Sequence, residues 1–139
     1  MNQIIENLSN SIVVRRALPL TLRKLRFKQK FSFVERKNEA EKIINKYPDR
    51  IPIIVQKSFS DKETKAINKR KYLAPSSLTL GQFLYVIRKR LDLGPEKALF
   101  LFINEMIPPT GSLLGTIYDE HRDSDKFLYI MYSGENTFG

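Results

Sequence analysis

The chain has 139 residues, of which 42% are hydrophobic and 11% aromatic, and this size and composition are typical of one globular domain rather than of a disordered chain. It contains no cysteine, which excludes disulfide bonds, thiolate catalysis and cysteine-rich zinc sites. The net charge of +9 is uneven, because residues 1–50 carry 12 Lys and Arg against 5 Asp and Glu, whereas residues 51–139 carry 12 against 10. A basic end suits acidic proteins, anionic lipids or nucleic acid, and it serves equally as a solvated face that aids solubility.

Residues 1–26 are expected to form a basic N-terminal extension. Apolar residues near the start fall at helical spacing, but Pro19 interrupts them and Arg15 and Arg16 add charge. A flexible extension is the simplest interpretation, and a transit-like or membrane-touching segment is the alternative. The longest apolar run, residues 98–103, is far shorter than the roughly 20 residues of a spanning helix, so no transmembrane segment is expected.

An additional helix is predicted over residues 32–47. The Ser32-x-x-Glu35 pattern lets a hydroxyl and a carboxylate satisfy each other's free backbone amides at a helix start. Apolar residues then recur at helical spacing along one side, and a proline follows. The other side, which includes Arg36 and Glu39, is interpreted as solvent-exposed.

A hairpin is predicted next. The β-branched residues 51–55 indicate a strand, in which Pro52 is tolerable only near the start or at a bulge. Residues 58–68 are polar and form a loop, and residues 69–74 form a second strand that a proline closes.

The second half of the chain alternates between helices and strands. A capping pattern at Thr79 predicts a helix over residues 80–91. A strand over residues 99–103 and a brief return strand at residues 106–107 are predicted next. A helix over residues 112–122, a charged loop over residues 121–126 and a strand over residues 127–132 complete the prediction. In the last strand Phe127 and Tyr129 occupy one face while Leu128 and Ile130 occupy the other, which predicts a central strand covered on both sides.

This order of elements, a helix followed by β-β-α-β-β-α-β, predicts an α+β fold. We expect a ubiquitin-like β-grasp with an additional N-terminal helix and a four- to five-stranded mixed sheet. One helix across one face of such a sheet leaves the other face uncovered, and the helix over residues 32–47 is expected to cover it.

No enzymatic constellation is present, so the protein is expected not to be an enzyme and to need no cofactor or metal. His121 is the only histidine, so a Ser-His-Asp triad would depend on one loop residue. The glycines lack the spacing of a phosphate-binding loop. The carboxylates of Asp119, Glu120, Asp123 and Asp125 lack the order of a calcium loop and are interpreted as a solvated turn.

Several blocks, taken in order, resemble the autophagy ubiquitin-like modifiers, the family that includes the microtubule-associated protein light chains and the GABA-receptor-associated protein. The blocks are YPDRIP at 47–52, KYLAP at 71–75, LTLGQF at 78–83, IRKR at 87–90, PPT at 108–110 and YSGENTFG at 132–139. The resemblance begins at about Phe27 and implies a ubiquitin-like domain over residues 27–132, with an N-terminal helical subdomain, followed by a flexible conjugation tail over residues 133–139.

The resemblance implies conjugation through Gly139. In the family, an activating enzyme adenylates the carboxylate of this glycine, a conjugating enzyme accepts it as a thioester, and an amide is finally formed with phosphatidylethanolamine. A cysteine protease processes and deconjugates such modifiers. The implied location is the cytoplasm and, through the lipid anchor, the autophagosomal membrane.

The resemblance also implies recognition of aromatic-x-x-aliphatic motifs on cargo receptors, at the strand over residues 69–74. The implied first pocket, for the aromatic ring, is formed by Glu39, Ile43, Pro52, Ile54, Lys71, Leu73 and Phe127. The implied second pocket, for the aliphatic side chain, is formed by Tyr72, Ala74, Pro75, Leu78, Phe83 and Val86. An electrostatic rim of Arg50, Lys69 and Arg70 would attract acidic flanking residues.

The sequence departs from the family at three places. Residues 1–26 are longer than the usual extension, the loop over residues 58–68 lacks the usual Asp-Ile-Pro-Asp pattern, and Ala74 stands where valine is usual, which is expected to enlarge the second pocket. An alternative function is a basic module that binds RNA or tubulin without conjugation, although no specific nucleic acid is expected.

Overall fold

A computed structural model describes residues 26–135. The predicted extension, apart from Arg26, and residues 136–139 of the predicted tail lie outside the described part. The elements are α1 Phe27–Lys30, α2 Phe33–Lys46, β1 Arg50–Lys57, β2 Lys71–Pro75, α3 Leu80–Leu91, β3 Phe100–Phe102, α4 Leu114–His121 and β4 Leu128–Ser133. None of the described helices is long and apolar enough to cross a membrane.

The strands form one mixed sheet in the order β2-β1-β4-β3. The central strands β1 and β4 are parallel, whereas β2 and β3 pair antiparallel with their neighbours. The predicted α+β ubiquitin-like fold and the central position of the last strand are therefore confirmed.

The predicted fifth strand at residues 106–107 is absent from this sheet. The chain reverses instead at Asn104 and Glu105, which have φ values of 49° and 64°. Ile103 and Met106 exchange backbone hydrogen bonds of 2.8 and 3.1 Å across the turn, so their backbone groups are used locally. Other bounds shift by one or two residues, and the single helical turn α1 was not expected from the sequence.

Pro52 lies inside the central strand β1, opposite Leu73 of β2. Backbone hydrogen bonds join Val55 N to Arg70 O and Ser76 N to Asp49 O. Since hydrogen-bonded pairs alternate with non-hydrogen-bonded pairs in an antiparallel ladder, Pro52 lies at a non-hydrogen-bonded position. On the other side, pairing with β4 begins only at Ile53. Because the missing N–H would have no partner in either ladder, this proline removes no sheet hydrogen bond.

Each face of the sheet carries its own apolar core. Ile53 of β1 and Leu128 of β4 belong to the larger core, which includes the buried side of α3. Ile54 and Phe127 point to the opposite face and pack with residues of α1 and α2. The expected covering role of the helix at residues 32–47 is thus confirmed.

A buried charge network joins α2 to the segment before β4. Arg36 Nη1 donates to Asp125 Oδ2 at 2.7 Å, and the same carboxylate accepts from the Tyr129 hydroxyl and from Phe127 N. The interpretation of Arg36 as solvent-exposed and of Asp125 as part of a solvated turn is therefore wrong, since their exposures are 8% and 0%. Burial and the hydrogen bond to Asp125 raise the pKa of Tyr129, so its hydroxyl remains a donor at neutral pH.

We expect Arg36→Ala to lower the free energy of unfolding by about 3–5 kcal/mol, because it leaves the Asp125 carboxylate buried and unpaired. Lys28→Ala is the matched control, since it breaks the more exposed pair between Lys28 and Asp123 and should change stability by about 1 kcal/mol or less. Urea unfolding measures both values. Equal effects of the two substitutions would contradict the buried network.

Candidate functional site

The implied peptide-binding strand lies at an edge of the sheet. Among the described strands, β2 pairs only with β1. The alternation of side chains along β2 directs Lys71 and Leu73 to the face covered by α2, and Tyr72 and Ala74 to the face covered by α3. One edge strand therefore borders both apolar cores.

The residues implied for the first pocket lie together on the α2 face. Ile43, Ile54, Leu73 and Phe127 form one apolar cluster, and Glu39, Pro52 and Lys71 are also buried. The cluster further contains Phe27 and Phe31, which sequence reasoning missed. The Phe27 ring lies 5.0 Å from the Phe31 ring and 5.3 Å from the Phe127 ring, centroid to centroid.

A buried ion pair lies in this first cluster. Lys71 Nζ donates to the two carboxylate oxygens of Glu39 at 3.1 and 3.4 Å, and it lies 4.8 and 5.2 Å from the ring centroids of Phe27 and Phe31. Burial raises the pKa of Glu39 above its ordinary value, although Lys71 opposes the shift. The ammonium group is therefore held between the Glu39 carboxylate and two aromatic rings.

Of the residues implied for the second pocket, Tyr72, Ala74, Leu78 and Phe83 belong to the core on the α3 face. Tyr72, Ala74 and Phe83 are buried, with the rings of Tyr72 and Phe83 edge to face at 5.6 Å. Pro75 and Leu78 are half-buried, and Val86 is exposed. The implied second set therefore combines buried side chains with an exposed one on α3.

The Tyr72 hydroxyl is buried without a hydrogen-bond partner. Burial raises the pKa of this hydroxyl to about 12, so it keeps its proton at neutral pH. An unsatisfied buried donor is unfavourable by about 1–3 kcal/mol.

The implied electrostatic rim consists of three half-buried cations, Arg50, Lys69 and Arg70. Lys69 Nζ lies 5.6 Å from the ring centroid of Tyr72, and the Arg70 guanidinium lies 5.6 Å from that of Phe27. Two of the rim residues thus adjoin the two predicted pockets. Gly139, the implied conjugation residue, lies outside the described part of the chain.

Comparison with known proteins identifies the family. The family described as "Autophagy protein Atg8 ubiquitin like" matches residues 35–139. The chain belongs to the Atg8 family.

Relatives in this family resemble the chain over most of its length. Autophagy-related protein 8 of Schizosaccharomyces pombe is 60% identical over 113 residues, which are 81% of this chain and 93% of the relative. Autophagy-related protein 8 of Mycosarcoma maydis is 58% identical over 113 residues, which are 81% of this chain and 95% of the relative. The crystal structure of Trypanosoma brucei ATG8 superposes with a TM-score of 0.76 at 40% identity, covering 84% of this chain and 99% of that one. This Atg8-family chain is accordingly a ubiquitin-like protein of autophagy.

We expect Lys71→Met to lower the free energy of unfolding by about 3–5 kcal/mol at pH 7, because it leaves the Glu39 carboxylate buried without its cation. Burial raises the pKa of Glu39, and loss of Lys71 raises it further. The loss of stability is therefore full above the Glu39 pKa of the variant and decreases as the pH falls, because the carboxyl group becomes neutral. Urea unfolding between pH 4 and pH 7 measures the effect.

Two further variants make this test specific. Adding Glu39→Gln to Lys71→Met should recover most of the lost stability. Lys126→Met removes the cation of the more exposed pair with Glu41 and should change stability by about 1 kcal/mol or less. A pH-independent loss in Lys71→Met would contradict the assigned role of the pair.

Proposed function

We propose that this Atg8-family protein is a modifier and not an enzyme, conjugated through Gly139 to phosphatidylethanolamine. Adenylation by ATP activates the glycine carboxyl group and releases pyrophosphate. Transfer to an enzyme cysteine then forms a thioester and releases AMP, and attack by the lipid amine forms the amide and returns the thiol. The partners are the activating and conjugating enzymes and a deconjugating cysteine protease.

The observation that carries this proposal is membership of a ubiquitin-like family of autophagy, matched through residue 139. The structure supports it in one respect, because β4 ends at Ser133 and Glu135 is exposed, so the chain leaves the domain at its surface. A diacyl lipid would supply stable membrane attachment, whereas a single acyl chain gives only marginal binding. The protein would then act on autophagosomal membranes, in autophagosome formation and cargo capture.

Conjugation is tested by incubating the protein with purified activating and conjugating enzymes, ATP and liposomes that contain phosphatidylethanolamine. We expect an adduct whose intact mass equals the protein plus one phospholipid minus water, and we expect none with Gly139→Ala. Liposomes of phosphatidylcholine, which lacks a primary amine, are the matched control. Adducts that persist in Gly139→Ala would contradict the assignment of this residue.

We further propose that β2 binds aromatic-x-x-aliphatic peptides by adding a strand to the sheet. Residues 71 and 73 of β2 lie at non-hydrogen-bonded positions of its pairing with β1, so their backbone groups are directed toward the sheet edge, as strand addition requires. Residues i and i+3 of an extended peptide point to opposite faces of a sheet. Two peptide side chains three residues apart would therefore point one to the α2 face and the other to the α3 face.

The chemistry of the two pockets supports this assignment of side chains. The first contains Ile43, Leu73 and aromatic rings, which suit a large flat side chain. The second is half-open between Ala74 and Val86, which suits a smaller branched one. The cations of the rim favour acidic residues beside the motif and would accelerate association at low salt.

The spacing can be tested with two peptides of equal composition, one with Phe-x-x-Leu and one with Phe-x-Leu, both preceded by acidic residues. We expect the second to bind at least about 10-fold more weakly, because residues i and i+2 point to one face and cannot fill both pockets. Fluorescence anisotropy measures the affinities.

A surface variant completes the test without disturbing the core. Val86→Asp places a charge in the exposed part of the second pocket and should weaken Phe-x-x-Leu binding, whereas Val34→Asp, at another exposed valine of a helix, should not. Equal affinities for the two spacings would contradict strand addition at β2.

A further inference from the structure

The loop between β1 and β2 is attached to the last residues of β4. Ser58 N donates to Tyr132 O at 2.8 Å. The fully buried Tyr132 hydroxyl donates to Lys65 O and accepts from Ile67 N, both at 2.8 Å. These bonds hold the loop along the end of the strand that leads to the C-terminal residues.

Asp61 of this loop holds the residues that follow Tyr132. Its Oδ2 accepts from Gly134 N at 2.7 Å and from the Ser133 hydroxyl at 3.5 Å, and its Oδ1 accepts from the N–H groups of Thr64 and Glu63 at 2.9 and 3.0 Å. Asp61 is 4% exposed and Ser133 is fully buried. The strand that was predicted to end at residue 132 extends to Ser133, which pairs with Phe100 of β3. Burial alone would raise the pKa of Asp61, but the hydrogen bonds from Gly134, Thr64 and Glu63 hold it well below its ordinary value. The carboxylate is therefore charged at neutral pH, and its hydrogen bonds are charge-assisted.

Gly134 lies close to the side chains of the loop. A Cβ atom at this position would lie 2.5 Å from Thr64 Oγ1 and 3.5 Å from Asp61 Oδ2. A Cβ atom here would therefore require the Thr64 hydroxyl to move, whereas its distance to Asp61 is an ordinary van der Waals contact.

We propose that Asp61 is a positioning residue for conjugation, which fixes the place and direction in which the chain leaves the domain ahead of Gly139. This inference rests on the proposed function of Gly139. A conjugating enzyme that docks on the folded domain must reach the glycine carboxyl group at a set distance. Strand pairing with β3 holds residue 133, and Asp61 adds a hold on residue 134. This second hold restricts the direction of the tether, which raises the effective concentration of the carboxyl group at the enzyme cysteine.

The loss of this anchor should affect turnover more than docking. Ser133 stays paired with Phe100 of β3 without Asp61, so the substitution Asp61→Ala releases residue 134 and lengthens the tether by roughly 3.3–3.6 Å. The docking surface on the domain would stay unchanged. Asp61→Ala should therefore lower kcat for conjugation by about 3- to 10-fold with little change in KM, as expected when only the orientation of the reacting group is lost.

The experiment compares wild type, Asp61→Ala and Asp123→Ala in the reconstituted reaction, together with ¹⁵N relaxation of the Glu135 amide. Asp123 is the matched control, because it also accepts a backbone hydrogen bond within a loop, from Asp125 N at 3.1 Å, but lies before the start of β4. We expect only Asp61→Ala to increase the motion of Glu135 and to lower kcat. If the wild type is conjugated and Asp61→Ala has the same kcat, this inference alone is overturned. If the wild type is not conjugated, the proposed function is overturned as well.

A second set of variants tests the anchor without removing its charge. Gly134→Ala should lower kcat because its methyl group displaces Thr64. The double variant Gly134→Ala with Thr64→Ala should restore kcat, since it removes the overlapping oxygen, and Thr64→Ala alone should stay near wild type. Failure of the double variant to recover, with thermal stability equal to that of wild type, would also overturn the positioning role.

Discussion

Burial of β1 on both of its faces is the constraint on which the rest of the structure depends. Ile53 and Ile54 are adjacent in sequence, point in opposite directions and are both fully buried. Each such side chain contributes about 1.5–3 kcal/mol only if apolar groups cover it, so both faces of the sheet need a helical layer. The helices α2 and α3 meet this need on opposite sides, and the N-terminal helices are consequently part of the fold rather than an appendage.

The same alternation gives the neighbouring edge strand β2 an apolar border on both faces. A one-sided sheet would present one apolar border and one polar border at its edge. Because both faces of β1 are buried, Tyr72 and Leu73 of β2 also lead into apolar cores. The first of the two proposed pockets would contain a buried ion pair and the second would be partly open to solvent, and both would lie at a single strand.

Local patterns in the sequence were sufficient to predict most elements, whereas buried charges were not predictable. The capping patterns at Ser32 and Thr79 form as expected, with both reciprocal hydrogen bonds present in each. Arg36 and Glu39 were interpreted as solvent-exposed because charged residues usually occupy the outer side of a helix. Their partners, Asp125 and Lys71, are 89 and 32 residues away in the chain, and no local pattern reveals pairing at that distance. The pocket residues were named from family resemblance, and the Asp61 anchor had no sequence signal.

The opposite edge of the sheet differs sharply from β2. Strand β3 has only 3 residues, and the chain reverses directly after it at the Asn104–Glu105 turn. Such a short border offers too few backbone groups for stable pairing with another sheet. Growth of an extended sheet from many copies of the domain, which needs pairing at both edges, is therefore disfavoured at β3.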